Sequence, residues 1–206
     1  MGPDPRGPDP LALHVPRLVR EWASDPATAG ELHQSVSGSM LFSDVSGFTK
    51  LSERLARRGR AGAEAIAGII DRCFTELIDE AYRYGGTLLQ FGGDALLLFF
   101  PGDHHELRAA GAALAMRASL RETREDLPVV GRAPLSMTVG VHSGDFDFFL
   151  VGASHRQLVV GGPAASRLVE LEEEASRGRI LISAETAAAL PSALSLIHIS
   201  EPTRPA

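Results

Sequence analysis

The sequence predicts an α+β fold, an antiparallel sheet with helices packed on one face. Three observations carry that prediction. A long segment from Ala61 repeats apolar residues at helical spacing, two apolar runs meet at Gly92-Gly93, and two more flank Ser143-Gly144. Hairpins separated by helices suit antiparallel pairing better than the strict strand-helix alternation of a parallel sheet.

In chain order, residues 1 to 10 are rich in Pro, Gly and Asp and resist packing. Leu11 to Trp22 reads as a short amphipathic helix through Leu13, Val15, Leu18, Val19 and Trp22, with Pro16 restricting where it can start. Asp25 to Gly38 reads as linker. Ser39 to Val45 is then a buried strand, and Gly47 to Arg57 a helix closed by Gly59. Ile66, Ile69, Ile70, Cys73, Phe74, Leu77, Ile78 and Ala81 mark the clearest helix of the chain, stopped by Gly85-Gly86.

Thr87 to Phe91 and Ala95 to Phe100 form a hairpin about Gly92-Gly93, since glycine supplies the backbone angles that short turns need. A helix follows from about Asp103 to Arg121. Leu135 to His142 and Asp145 to Val151 form a second hairpin about Ser143-Gly144, with a shorter strand at Gln157 to Val160. A helix over 163 to 175, a strand at Arg179 to Ile182 and a helix over 183 to 190 complete the order.

At 206 residues, 44% hydrophobic and 22% charged, the chain has the balance of one globular domain. The net charge of -6, with no Lys/Arg block interleaved with aromatics, argues against a general nucleic-acid or anionic-membrane surface. Cys73 is the single cysteine and falls on the apolar helix face, which excludes a disulfide framework and points to a reducing, cytoplasmic compartment. No apolar stretch approaches the roughly 20 residues that span a bilayer, and the start lacks a signal-peptide segment.

We divide the chain into an N-terminal extension with its short helix (1–37), a domain over 38–193 and a tail over 194–206. Leu194 to Arg204 reads LSLIHISEPTR, which resembles a translated sequencing adapter and interrupts the helix begun at Ser183. The expectation is that the natural chain runs on differently beyond Ala193.

Two aspartates each close a short apolar run. Asp44 ends a strand before the Ser46-Gly47-Phe48-Thr49 turn, and Asp94 sits at the tip of the Gly-Gly hairpin. Singly, each is ordinary turn chemistry. Together they offer what a hard divalent cation wants, one or two carboxylates completed by substrate phosphates. The 46–49 turn aims backbone N–H groups out of a helix start, a natural cradle for a triphosphate.

These motifs resemble the class III nucleotidyl cyclases, which carry Phe-x-Asp-x-x-Gly-Phe-Thr and a second aspartate in a Gly-Asp hairpin. The likeness covers roughly residues 38 to 190. It is greatest to the amino-terminal domain of tandem soluble-type adenylate cyclases, as in Gly85-Gly-Thr-Leu-Leu-Gln-Phe-Gly-Gly-Asp94. The resemblance implies a ferredoxin-like sheet used as a head-to-tail dimer and a reaction that turns ATP into cyclic AMP with two Mg²⁺ (or Mn²⁺). Asp44, Asp94 and the carbonyl of Val45 would hold the ions, while the amides of Ser46, Gly47, Phe48 and Thr49 would hold the phosphates. Arg167 would stabilise the transition-state phosphate.

The chain departs from the family at three positions. Gln90 stands where the base-selecting Lys or Glu is expected, Pro163 stands where an asparagine orients ribose, and Arg156 stands at a further base contact. An arginine cannot accept a hydrogen bond from an adenine amino group. The expectation is a half-site, in which this domain supplies metal carboxylates and a second cyclase domain, downstream or in another chain, supplies base and ribose contacts. Two other readings compete: a non-catalytic regulatory domain, and a guanylate or diguanylate cyclase, although Ala95-Leu96 replaces the Glu-Phe of the last. Arg167 could also simply pair with Glu170. His104 and His105 read as solvent-exposed loop residues, His142 as structural, and Glu170 to Glu174 as a solvated face.

Overall fold

A computed structural model describes residues 15–57, 59–125, 135–175 and 178–191. The elements are α1 (Arg17–Ser24), β1 (His33–Ser46), α2 (Phe48–Ala56), α3 (Arg60–Arg83), β2 (Thr87–Gly92), β3 (Ala95–Pro101), α4 (His105–Glu125), β4 (Ser136–Val151), β5 (Gln157–Gly161), α5 (Pro163–Glu174), β6 (Ile180–Ile182) and α6 (Ala184–Ala189). The strands form one sheet in the order β2-β3-β1-β4-β5, with β6 added on β4. Every pairing is antiparallel except β4 with β6. The α+β expectation holds, and β1, β2, β3 and β4 stand in ferredoxin-like order.

Strand alternation sorts side chains onto two faces. On one, Leu41, Val45, Leu96, Leu98, Phe100, Met137, Val139 and Val141 form a core with α2, α3 and α4. Leu51, Leu77, Ala112 and Met116 are fully buried there, each large apolar side chain contributing about 1.5–3 kcal/mol of transfer free energy. Glu76 on α3 accepts from Thr123 and Ser119 on α4, tying the two helices together. The opposite face carries Met40, Phe99, Phe146 and Phe148, on which Leu18 and Trp22 of α1 and Ala164 and Leu168 of α5 pack. The main helical layer therefore covers one face, while α1 and α5 pack on the other.

The helix predicted from Ala61 is α3, and its end is fixed by two backbone bonds, Gly85 N–H to Tyr82 and Gly86 N–H to Ala81, both 2.9 Å. This is the reciprocal pattern that closes helices at glycine. Cys73 is buried in the core as predicted; burial, and then the charge of Glu76, push its thiol up to about 12.

Three expectations need correction. The hairpin at Ser143-Gly144 does not exist, because β4 runs unbroken for 16 residues. Ser143 and Gly144 lie opposite Ser39 and Gly38 in the β1 ladder, and the long partner strand overrides the local turn preference. Residues 33 to 38, read as linker, extend β1 to 14 residues by pairing with the far half of β4. The first helix begins at Arg17, with Pro16 as its N-cap; Leu11 and Leu13 lie outside the described residues, as does the tail over 194–206. No helix among the described residues is long and apolar enough to cross a membrane.

Candidate functional site

The two aspartates meet at one end of the sheet. Asp44 pairs with Ala95 across the β1–β3 ladder, and the Val45 N–H donates to the Asp94 carbonyl at 2.9 Å. Asp94 owes its place to a two-residue turn: Gly92 and Ala95 close the ladder, and Gly93 takes φ 72, which a side chain would resist. Asp94 is exposed, whereas Asp44 is half-buried on the sheet face opposite the main helical layer. Burial, and then the negative charge of Asp94, push the Asp44 carboxyl above the usual carboxylate range.

The turn after β1 is built beside this pair. Gly47, at φ 110, is the N-cap of α2, and no side chain caps the helix. The first helical bond runs from Leu51 N–H to the Gly47 carbonyl at 3.1 Å, so the preceding amides of Phe48 and Thr49 face out of the helix end. No acidic residue lies in that first turn, leaving the positive end of the helix dipole open to an anion. Phe48 packs on Phe74 with ring centroids 5.6 Å apart, and Phe74 meets Phe91 edge-on at 4.8 Å. This aromatic row joins the α2 turn to the β2 hairpin that carries Asp94. The Ser46 hydroxyl is already engaged with Ser136 at 2.9 Å.

Arg167 stands apart from the aspartates. It lies on α5, donates to Glu170 at 2.8 Å, as the simple pairing anticipated, and sits close enough to His142 and Glu185 to influence their charges. His142 pairs with Met40 on β1, four strand residues or roughly 13 Å from Asp44. The chain thus joins Asp44, Asp94 and the 46–49 turn while presenting Arg167 elsewhere on the same side. Pro163 opens α5 behind a glycine cap, Arg156 is exposed, and exposed Gln90 follows a bulge at Leu89. Gln90 lines a cavity of about 570 Å³ with Arg17, Arg20 and Tyr82.

Two residues were misread from sequence. His105 is no exposed loop residue: it opens α4, is 17% exposed, and its Nδ1 meets the Ser39 hydroxyl at 2.8 Å. Glu172, assigned to a solvated face, is half-buried. Burial, then the charges of Asp44 and Glu173, raise its carboxyl. The signal was present, because Glu172 continues the i, i+4 row of buried Ala164 and Leu168. The backbone here comes so close to β4 that a Cβ on Gly140 would stand 3.3 Å from the Glu172 nitrogen.

Among the described residues no group of three or more His, Cys, Asp or Glu is arranged to hold a metal ion. The donor chemistry nonetheless fits a hard divalent cation: burial and the neighbouring Asp94 charge raise the cost of ionising Asp44, and an ion between the two carboxylates would relieve it. Phosphate oxygens from a substrate would supply the remaining ligands.

A family model described as the adenylate and guanylate cyclase catalytic domain matches residues 31–201. Rat adenylate cyclase type 10 is 28% identical over 100 residues, which make up 48% of this chain and 6% of that protein. The chain therefore spans only a small part of that relative's length. The crystal structure of the adenylyl cyclase CyaB from P. aeruginosa superposes with TM-score 0.66 at 28% identity, covering 76% of this chain and 81% of that one. The guanylyl cyclase Cya2 superposes with TM-score 0.63 at 26% identity, covering 76% and 78%.

Proposed function

The chain belongs to the adenylate and guanylate cyclase catalytic-domain family, and on that premise we propose that it converts ATP to cyclic AMP and pyrophosphate as the metal-binding half of a two-domain site. The observation that carries this reading is the placement of Asp44 and Asp94 at one sheet end beside the uncapped start of α2. Two Mg²⁺ or Mn²⁺ ions, when bound, supply the charge that activates the ribose 3′-hydroxyl and steadies the leaving pyrophosphate.

Asp44, Asp94 and the Val45 carbonyl hold these ions, with Glu172 adding negative charge behind Asp44. The amides of Ser46, Gly47, Phe48 and Thr49 bind the β- and γ-phosphates along the axis of α2, where the helix dipole favours them. Attack on the α-phosphorus then needs the triphosphate held in line, and the Phe48–Phe74–Phe91 row keeps the phosphate turn and the aspartate hairpin at fixed separation. Arg167 serves an α-phosphate presented by whichever chain docks against α5. The choice of ATP over GTP rests on the adenylate cyclase relatives.

Gln90 and Pro163 favour one competing reading, a regulatory domain that pairs with a complete cyclase and turns over nothing itself. The deciding experiment measures cyclic nucleotide formation by residues 1–193 with ATP or GTP and Mg²⁺ or Mn²⁺, alone and with an added cyclase domain carrying the base-selecting lysine and the ribose asparagine. We expect weak turnover alone and at least a tenfold rise with the partner, abolished by Asp94→Ala in this chain. Partnered turnover that survives Asp94→Ala would establish the regulatory reading instead.

A further inference from the structure

Five hydrogen-bond contacts join two imidazoles through four hydroxyls. His105 Nδ1 lies 2.8 Å from Ser39 Oγ, Ser39 Oγ lies 2.6 Å from Ser143 Oγ, and Ser143 lies 2.9 Å from Thr186 Oγ1. Thr186 continues to Ser183 Oγ at 3.0 Å, and Ser183 to His142 Nδ1 at 2.9 Å. The four hydroxyl residues and His142 are buried, and the His105 side chain is 17% exposed. The row ties the start of α4 to both central strands and to the start of α6, whose N-cap is Ser183.

Proton counting limits what this row can hold. Each of its five contacts needs one hydrogen between the two heavy atoms, and a hydroxyl has one to give. Four hydroxyls supply four, so one imidazole, and only one, carries hydrogen on Nδ1. The count is the same in either direction: His105 donates and His142 accepts, or His142 donates and His105 accepts. An imidazolium carries hydrogen on both nitrogens. Two imidazoliums would bring six hydrogens to five contacts, and one contact would then set hydrogen against hydrogen in a buried place where water does not replace the lost bond.

Glu185 on α6 stands 3.8 Å from His142 Nδ1 and near enough to Ser183 to compete for its proton, yet it offers no way out. Ser183 already accepts from the Thr186 amide at 3.2 Å. Turned toward Glu185, it would have to accept from Thr186 Oγ1 and from His142 as well, three bonds on two lone pairs. The other charged neighbours leave the count untouched. Arg167 on α5 adds positive charge on the His142 side, while Met40 on β1 and Phe146 beside the ring carry none. His105 faces Glu106 at 3.5 Å on its own helix, and Asp103 and His104 before it are exposed. Arg108, one turn on, donates instead to the carbonyls of Tyr84, Gly85 and Pro101.

We propose that the row is a pH-sensitive switch that admits positive charge to only one of the two imidazoles while α4 and α6 stay tied to the central strands. Protonating the first, on its free nitrogen, leaves every contact in place. Protonating the second breaks one, and the start of α4 or of α6 comes away from β1 and β4. His142 is the ring that waits, being the more deeply buried of the two. Its imidazole lies below its usual value through burial, opposed by Glu185 and assisted by Arg167. The switch stands on these contacts and not on the proposed cyclase reaction.

The test is a ring-nitrogen NMR titration of the full chain that reads the tautomer and the midpoint of His105 and His142. At neutral pH one ring should carry its proton on Nδ1 and the other on Nε2. His105→Gln leaves an amide that can donate to Ser39 or accept from it, and should raise the His142 midpoint by about one pH unit, a gain in proton affinity of about tenfold. Ser143→Ala keeps both rings but cuts the row, and should raise the midpoint by a similar amount, which simple repulsion between the rings would not do. Amide exchange at the start of α4 or α6 should quicken only below the His142 midpoint. Both rings in the same tautomer, or a His142 midpoint unmoved by either substitution, overturns the proposal. Should Ser143→Ala fail to fold, Ser39→Ala cuts the row at the neighbouring hydroxyl and decides the matter.

Discussion

Asp44 is held in a place that costs stability without a cation. Its carboxyl lies above its ordinary value through burial and the charge of Asp94, so the folded state binds the proton more tightly than the unfolded state. The free protein should therefore gain stability from this group as pH falls from neutral through the raised value toward 3.8. Glu172 acts in the same direction. Asp44→Asn removes the charge while keeping the shape, and we expect it to melt higher than the wild type at about pH 7, with the gap closing toward about pH 4. The same variant should lose about 100-fold or more in turnover, and added Mg²⁺ should raise the melting temperature of the wild type but not of the variant. Equal melting temperatures across that range would show that the carboxylate pair carries no strain.

At the scale of elements, the close packing of the central strands makes a sharp prediction. A Cβ on Gly38 would stand 2.5 Å from the Phe99 ring and 2.8 Å from the Phe100 carbonyl. Gly38→Ala should cost about 1–3 kcal/mol in a denaturant melt, and an unchanged midpoint would mean that β1 and β3 separate more easily than their ladder implies. The sequence made α3, β2 and β3 readable because periodicity and turn glycines agreed there. It misled at Ser143-Gly144, where a dipeptide of turn type is held straight by the opposing Ser39 and Gly38, a partner a hundred residues away that no local window contains. The aspartates were legible because each ended an apolar run, and the 46–49 turn because glycine preceded a helix. Glu172 carried its signal in the i, i+4 row with Ala164 and Leu168, whereas the burial of His105 follows from how α4 docks, which composition does not reveal.

At the scale of the whole molecule, Arg167 pairs with Glu170 on α5 and with neither aspartate, so the proposed reaction calls for a second copy or domain to bring arginine and carboxylates together. On the proposed reading, a head-to-tail pair would take carboxylates from one chain and arginine from the other at each site. Mixing Asp94→Ala and Arg167→Ala chains, each inactive by itself, should restore about a quarter of the basal wild-type turnover, because half the pairs are mixed and each mixed pair keeps one intact site. Mixtures as inactive as their parents would place both groups in one chain's site.

The long ladder between β1 and β4 also sets how this protein comes into being. Its contacts join residues 104 apart at Ser39 and Ser143 and 90 apart at Ser46 and Ser136, and loops of that length close slowly. During synthesis at about 5–20 residues per second, β1 leaves the ribosome several seconds before the strand that completes its outer edge. Over that interval Met40, Leu41 and Phe42 lie on a strand still missing that neighbour, and the ladder closes from the Ser46–Ser136 end, so the far end of β1 at His33 is the last of that strand to be sheltered from aggregation.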